Sequence, residues 1–256
     1  MKERYGEISA GRDGHVALVE IDRPPHNHVT VDLMTNLADV LNDVDADREL
    51  RASVLMTAGK SFCAGADFAA RDSVGSGGTD SLYAQAVRLF SVRKPIVAAV
   101  QGAAIGAGLG LALVADFRVA APEARFSANF VKLGFHPGFG ISFTLPRLIG
   151  PQKAALMCLT GRRIKGEEAL AWGLVDEVAP MDALRTAALA LAQELAENAP
   201  LAVEATRATL RGDIAMQVKA QTDKEFDIQS RLRKTADFAE GIRAVAERRP
   251  GRFTGA

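Results

Sequence analysis

The residues best placed to do chemistry in this 256-residue chain lie in two glycine-bearing turns, each of which follows an apolar run. In one of them, the apolar residues 96–100 lead through Gly106, Ala107 and Gly108 into a buried helical run. The first N–H groups of a helix lack intrahelical partners, and the helix dipole adds partial positive charge at that end. This turn therefore suits a negative charge that develops on a bound oxygen.

An earlier turn has the same character. The apolar residues 52–57 predict a buried strand, and the residues 61–68 that follow are mostly small and include Gly65. If the two strands are neighbours in one sheet, one amide from each turn could bind a single oxyanion, where removing one donor costs roughly 3–4 kcal/mol. The alternative is that the glycines only permit tight turns and close packing of helices on the sheet.

Three histidines are the next candidates, for acid–base catalysis or for metal binding. His136 lies in a third glycine-rich turn, residues 134–140, where an imidazole could act as general acid or base near neutral pH. Equally, it could only hydrogen-bond its own loop. His26 and His28 have a spacing that could hold a metal, but no third ligand lies nearby in sequence, so we interpret them as loop histidines and expect no metal site.

Composition excludes several classes of protein. The 31 basic and 31 acidic residues balance, and no basic stripe suggests nucleic acid. The most apolar segment, residues 96–115, is interrupted by four glycines and a glutamine, so we expect no membrane span. The charged first residues predict no secretory signal and hence a cytoplasmic location. Two cysteines are too few for a disulfide framework.

The hydrophobic pattern predicts an α/β chain with a helical C-terminal region. It favours a hairpin over residues 5–21, strands at 52–57, 96–100, 117–120 and 124–127, a helix capped by Thr30 and a mobile loop at 71–80. Further helices are predicted at 81–92, after 102, and at 141–148, 151–160 and 166–172, with a short strand at 174–178. The C-terminal helices are expected at about 181–197, 200–211, 215–232 and 235–247.

Taken together, these motifs resemble the crotonase superfamily, the enoyl-CoA hydratase and isomerase family. The similarity is carried by residues 61–67, 98–108 and 134–140 and by Gly173-Leu174-Val175, and it extends over nearly the whole chain. It implies a crotonase-like spiral of ββα units, with residues 1–195 forming the core that holds the acyl-CoA site. Residues 196–256 would form a helical region for oligomerisation and active-site cover. It also implies homotrimers or hexamers and an acyl-CoA substrate, with coenzyme A as part of the substrate and no separate cofactor.

The resemblance assigns roles by position. The amides of Ala66 and Ala107 would form the oxyanion hole, coenzyme A would lie along residues 64–68, and Arg23 would contact its phosphates. Asp67 would cap the following helix. The substrate-binding residues predicted in this way are Arg23, Ala64, Gly65, Asp67, Phe68, Gly106, Gly110 and Phe130.

The chain departs from the family at the two catalytic glutamates. Family hydratases carry glutamates at the positions that hold Gly110 and Phe130 here, and neither residue can move a proton. The resemblance thus implies an enolate-stabilising enzyme in which hydration itself is in question and His136 is the expected substitute. A one-base isomerase, a hydrolase or an enzyme that cleaves carbon–carbon bonds fits equally well.

Of two other classes of function, one is compatible with the sequence and one lacks its required motif. An acyl-CoA-binding protein without turnover is compatible with the missing glutamates. A nucleotide-dependent oxidoreductase would need G-x-G-x-x-G after the strand, whereas Gly106-x-Gly108-x-x is followed by Leu111.

Overall fold

The structure is a computed structural model that describes residues 1–66 and 78–256, with the backbone alone at 78–81. The strands of its main sheet are Arg4–Tyr5 (β1), Ile8–Asp13 (β2), Val16–Ile21 (β3), Ala52–Thr57 (β4), Ile96–Val100 (β5), Phe117–Ala120 (β7) and Glu177–Val178 (β10). Within the described residues they lie in the order β1-β2-β3-β4-β5-β7-β10.

The central strands of this sheet are parallel. β3 pairs with β4, β4 with β5, and β5 with β7, with Leu55 opposite Ala98 in the middle pair. Every residue of β4 and β5 is buried, as continuous apolar strands require when both faces of a sheet are covered. Because parallel strands end at the same edge, the turns that follow β4 and β5 lie side by side.

A second, smaller sheet runs beyond that edge. It contains Ala103–Ile105 (β6), Arg125–Ser127 (β8) and Ile164–Lys165 (β9), in the order β6-β8-β9. Single bridges between Cys63 and Ala104 and between Val29 and Ala66 continue the layer toward the N-terminus. Each turn of the chain thus passes through the main sheet, then the second layer, then a helix. This repeat confirms the α/β spiral of ββα units.

The helices fill the gaps between these strands and form the C-terminal region. They are Val31–Ala46 (α1), Gly78–Phe90 (α2), Ala107–Val114 (α3), Ile141–Ile149 (α4), Pro151–Thr160 (α5), Gly166–Trp172 (α6), Leu184–Ala196 (α7), Pro200–Arg211 (α8), Ile214–Leu232 (α9) and Ala236–Ala246 (α10). A 3₁₀ turn at Asn129–Leu133 precedes α4. Thr30 caps α1 as predicted, since its side chain accepts from the Leu33 amide.

Two apolar layers cover the main sheet. One face packs against α1, α2 and α3 in the larger core. The other face, which includes Val54, Val97 and Val119, packs against the alanine-rich side of α7. α9 packs against α2 and α4, and α10 packs against the 3₁₀ turn at Asn129–Leu133. The division into 1–195 and 196–256 stays a prediction.

The structure differs from the predicted elements in three places. Strand β6 stands between Gly102 and α3, so the helix after β5 begins only at Ala107. β2 extends to Asp13, which moves the hairpin turn to Gly14 and His15. The strand expected at 174–178 is reduced to its last two residues, because Leu174 and Val175 instead close the C-terminus of α6 by donating to the Ala169 carbonyl.

Among the described helices, none combines the length and the apolar composition that a bilayer crossing requires. Residues 71–77 of the predicted mobile loop lie outside the described residues.

Gly102 sets how closely the turns after β4 and β5 approach. A Cβ built on Gly102 would lie 2.0 Å from the Lys60 carbonyl oxygen, although its φ angle is one that any residue adopts. Gly102→Ala should therefore lower the free energy of unfolding by about 1–3 kcal/mol, because only a backbone shift can relieve the overlap. Gly11→Ala is the matched control, since nothing lies within 4 Å of its added methyl group. Equal denaturation midpoints for both variants would contradict this account of the turn.

Candidate active site

The turns after β4 and β5 meet through side-chain hydrogen bonds as well as sheet pairing. The Gln101 amide nitrogen donates to the Thr57 carbonyl at 3.0 Å and to the Thr57 hydroxyl at 2.8 Å. Asn27, which is 1% exposed, donates to the Ala58 and Ser61 carbonyls and so holds the chain before α1 against the same edge. Three segments that are distant in sequence therefore converge at one place.

The amide of Ala66 is aimed by the peptide that precedes it. The Gly65 carbonyl accepts from the Val29 amide at 3.0 Å, which points this carbonyl toward the chain before α1. The Gly65–Ala66 peptide is trans, so the Ala66 N–H points to the opposite side. The turn before α3 lies close to the same segment, since a Cβ on Gly65 would lie 2.9 Å from the Ile105 oxygen and 3.9 Å from the Ala107 nitrogen.

The amide of Ala107 is aimed by the start of α3. The Gly106 carbonyl accepts from the Leu109 amide at 2.9 Å and from the Gly110 amide at 3.1 Å, so it points along the helix. The N–H of Ala107, in the same trans peptide, must point out of the helix's positive end. Gly106 permits this entry because its φ is +57°, where a side chain would be strained.

Both amides face one cavity of about 270 Å³, and neither donates to another described residue. Ala66 and Ala107 are half-buried, whereas the glycines beside them, Gly65 and Gly108, are fully buried. The described lining is mostly apolar and comes from seven parts of the chain: His28, Ala64, Gly65, Ala66, Leu82, Tyr83, Ile105, Gly106, Ala107, Asn129, Phe130, Leu133, Phe135, Gly138, Phe139, Gln229, Arg233, Ile242, Val245 and Ala246. The arrangement can donate two hydrogen bonds to one oxygen inside an apolar cavity.

Several of the predicted site residues come together here. Ala64, Gly65, Gly106 and Phe130 line the cavity with the two amides. Phe130 is nearly buried and meets Phe135 edge to face, with ring centroids 5.5 Å apart. Its ring therefore shapes the cavity wall and offers no proton. Asp67 and Phe68 lie outside the described residues.

Two predicted substrate-binding residues do not line the cavity. Gly110 lies beneath the ring of Phe139, which would be 2.6 Å from an added Cβ, so the residue allows α3 to pack and does not face the ligand space. Arg23 pairs with Glu7 at 3.0 Å and donates to the His28 carbonyl at 3.2 Å. Its expected contact with coenzyme A phosphates stays a prediction.

The structure does not bring His136 to the amides. Its imidazole lines a different cavity, bounded by α4, α5 and the end of α9, and is not among the lining of the first. Its Nδ1 lies 2.8 Å from the Pro137 carbonyl oxygen, a bond within its own loop. The backbone of this turn contacts α9 instead, because the His136 carbonyl accepts from the Gln229 side chain at 2.7 Å.

His28 lies in the cavity, where the sequence indicated only a loop histidine. Its Nδ1 is 3.1 Å from the Gly65 carbonyl oxygen. A carbonyl only accepts, so Nδ1 carries the hydrogen and leaves Nε2 as an acceptor in the neutral ring. Among the described residues, no group of three side chains suited to a metal ion includes His28 or His26.

A polar stripe along α9 and its C-terminal cap includes two cavity residues that the sequence did not reveal, Gln229 and Arg233. Glu225, Gln229 and Arg233 follow one another at four-residue intervals, so they share a face of the helix. Gln229 accepts from the Tyr83 hydroxyl at 2.8 Å, and an added Cβ on Gly138 would collide with that hydroxyl. Polar residues at this spacing usually mark a solvent-facing side, and only the packing of α9 on α2 shows that this side is buried.

Glu225 is fully buried and holds the N-terminus of α4. It accepts from the amides of Gly140 and Ser142 at 2.8 and 3.2 Å and also from the Ser142 hydroxyl. Burial raises the pKa of Glu225 to about 7, against the lowering effect of these three hydrogen bonds. The carboxyl therefore binds its proton more tightly in the folded chain than in the unfolded chain.

This pKa predicts a stability change with pH. As the pH rises from about 4.3, the ordinary glutamate value, to about 7, the unfolded chain loses this proton first. Wild-type stability should then fall by about 3–4 kcal/mol across that window, at about 1.4 kcal/mol for each pKa unit. In Glu225→Gln this fall should be absent from melting curves taken at pH 4.5–8, while the exposed Glu194→Gln keeps it. An identical fall in both variants would assign the effect to another group.

Comparisons with known proteins agree with the observed fold. A sequence model described as enoyl-CoA hydratase/isomerase matches residues 11–256. A probable enoyl-CoA hydratase of Mycobacterium tuberculosis is 40% identical over 259 residues, covering 96% of this chain and 99% of that protein. A putative enoyl-CoA hydratase of Thermus thermophilus is 37% identical over 248 residues, covering 94% and 98%. The crystal structure of a carnitinyl-CoA hydratase from Mycobacterium avium superimposes with a TM-score of 0.89 at 33% identity, covering 99% of this chain and 100% of that one. This chain belongs to the enoyl-CoA hydratase/isomerase family, within the crotonase superfamily.

Proposed function

We propose that the cavity binds the acyl end of a coenzyme A thioester, with the thioester oxygen between the amides of Ala66 and Ala107. The observation that carries this proposal is the pair of cavity-facing amides that donate to no other described residue. Loss of a proton from the carbon next to the thioester moves negative charge onto that oxygen. The two fixed donors stabilise this enolate more than the neutral carbonyl, which is the condition for catalysis.

The reaction class follows from what the cavity wall lacks. The described lining contains no carboxylate, and its ionisable side chains are His28, Tyr83 and Arg233. Burial raises the pKa of Tyr83, and arginine does not release its proton, so His28, with its acceptor Nε2, is the group in the described lining that can take a proton. We therefore propose one-base enolate chemistry, as in an isomerase, a hydrolase or a carbon–carbon lyase, and not hydration by two glutamates.

Exchange of the proton next to the thioester tests this function without knowledge of the natural acyl group. Saturated acyl-CoAs of increasing length are incubated with the protein in D₂O, and NMR follows loss of the proton signal at that carbon. An enolate-forming enzyme exchanges this proton whichever product it makes. Binding of the same thioesters by calorimetry without exchange would favour the second candidate, an acyl-CoA-binding protein without turnover, which the absence of a carboxylate from the described lining also allows.

Ala107→Pro tests the oxyanion donor itself. Ala107 is the first residue of α3, where proline fits a helix and removes only the N–H that the helix does not use. Exchange should fall about 10²–10³-fold, the usual loss for one oxyanion donor, while thioester binding changes little. Ala236→Pro makes the same change at the exposed first residue of α10 and should keep exchange within about threefold. Equal rates in the two variants would remove the Ala107 amide from the mechanism.

Histidine substitutions separate the two imidazoles. His136→Ala should leave exchange within about threefold, because its ring lines the other cavity. His28→Gln keeps a donor near the Gly65 carbonyl but removes the acceptor nitrogen, and exchange should fall about 10²-fold, as for loss of a general base. The reverse pattern of rates would restore His136 as the proton-transfer residue.

Assembly, location and cofactor use remain expectations of the proposal. Trimers or paired trimers are supported by exposed apolar side chains on the outer helices, with Leu159, Leu201 and Leu210 each about three-quarters exposed (76%, 79% and 77%). Coenzyme A enters as part of the substrate, no separate cofactor is proposed, and the expected location is the cytoplasm.

A further inference from the structure

Arg233 is a cation that lines the cavity and has no partner for its charge among the described side chains. It lies near the C-terminus of α9, half-buried, and its Nε has no contact with solvent and no hydrogen bond. Within residues 1–66 and 82–256, where side chains are described, its guanidinium makes no hydrogen bond or ion pair. Its carbon lies 5.8 Å from the centre of the Phe135 ring, a contact that orients the group without neutralising it.

Other inward-facing arginines of this chain make hydrogen bonds or ion pairs. Arg118, 2% exposed, donates to the carbonyls of Leu174 and Ala115 at 2.7 Å and pairs with Asp176 at 3.5 Å. Arg207 donates to Asp116 at 3.0 Å and to the carbonyls that precede β5. Buried nitrogens elsewhere also lack partners, but each of those guanidinium groups makes at least one hydrogen bond through another nitrogen. In the described chain the guanidinium groups of these other arginines thus have hydrogen-bond partners, and that of Arg233 has none.

The neighbouring groups on the stripe of α9 are already occupied. Glu225, two turns away, accepts from Gly140 and Ser142, and Gln229 accepts from Tyr83 and donates to the His136 carbonyl. Burial lowers the pKa of Arg233, so the charged group is not fully compensated by its surroundings. An apolar acyl chain in this cavity would remove still more water from the cation and offer nothing in return.

We infer that the acyl group bound in this cavity carries a carboxylate that pairs with Arg233. This inference rests on the proposed function and specifies its substrate class, the thioester of a dicarboxylic acid. A planar guanidinium can donate two parallel hydrogen bonds to a carboxylate, and such charge-assisted bonds are the strong ones in a partly dry site. The apolar wall formed by the phenylalanines and α10 would hold the carbon chain between the thioester and the carboxylate.

Calorimetric binding of two thioesters of the same carbon number tests the inference. Glutaryl-CoA and pentanoyl-CoA differ chiefly in the terminal carboxylate, and free coenzyme A serves as the third ligand. The wild-type protein should bind glutaryl-CoA at least tenfold more tightly than pentanoyl-CoA, the scale expected for a charge-assisted hydrogen bond. Arg233→Met should abolish this preference while keeping pentanoyl-CoA affinity within about threefold. Arg231→Met, an exposed arginine on the same helix, should keep the preference intact.

Other outcomes overturn the inference in distinguishable ways. If Arg233→Met weakens all three ligands equally, the arginine binds a phosphate of coenzyme A and not the acyl group. If the wild-type protein binds both thioesters equally and Arg233→Met changes neither affinity, the cation has its partner within the protein. If no thioester binds, the proposed function itself fails, which is a different result from binding without preference.

Discussion

The hydrogen bond from the Val29 amide to the Gly65 carbonyl is the interaction on which the site depends. It fixes the Gly65 carbonyl against the chain before α1, and peptide planarity then turns the Ala66 N–H away from that chain. Nothing in this arrangement requires a functional side chain. In the proposed function the chemistry rests on two backbone amides, those of Ala66 and Ala107, which the fold holds beside one cavity.

Close backbone approach is the second constraint, and glycines meet it. An added Cβ would overlap the Cys63 carbonyl at Gly108, 2.0 Å away, and the Ile105 carbonyl at Gly65, 2.9 Å away. These contacts press the turn after β4 against the turn before α3, so both donors reach one cavity. Gly110 serves packing in the same way, since Phe139 fills the space where a side chain would lie. A carboxylate at that position would need a different turn opposite it.

The elements and the two turns were predictable from the sequence because they depend on local patterns. The buried strands β4 and β5 and the cap at Thr30 all follow from nearby residues. The positions of His28, Tyr83 and Arg233 could not be predicted in this way, because each depends on the packing of segments far apart in sequence. His136 shows the same limit: a histidine in a glycine-rich turn suggests catalysis, but the direction of its side chain is set by the fit of α4 and α9 around that turn.

The most direct measurement of the central claim is the vibration of the bound thioester carbonyl. Isotope-edited infrared difference spectra of an acyl-CoA labelled with ¹³C at that carbon report how strongly its oxygen is hydrogen-bonded. Two donors at the oxygen should shift the stretch to lower frequency on binding to the wild-type protein. The shift should be clearly smaller with Ala107→Pro. A carbonyl stretch that does not change between water and the wild-type site would show that the two amides do not meet the thioester oxygen.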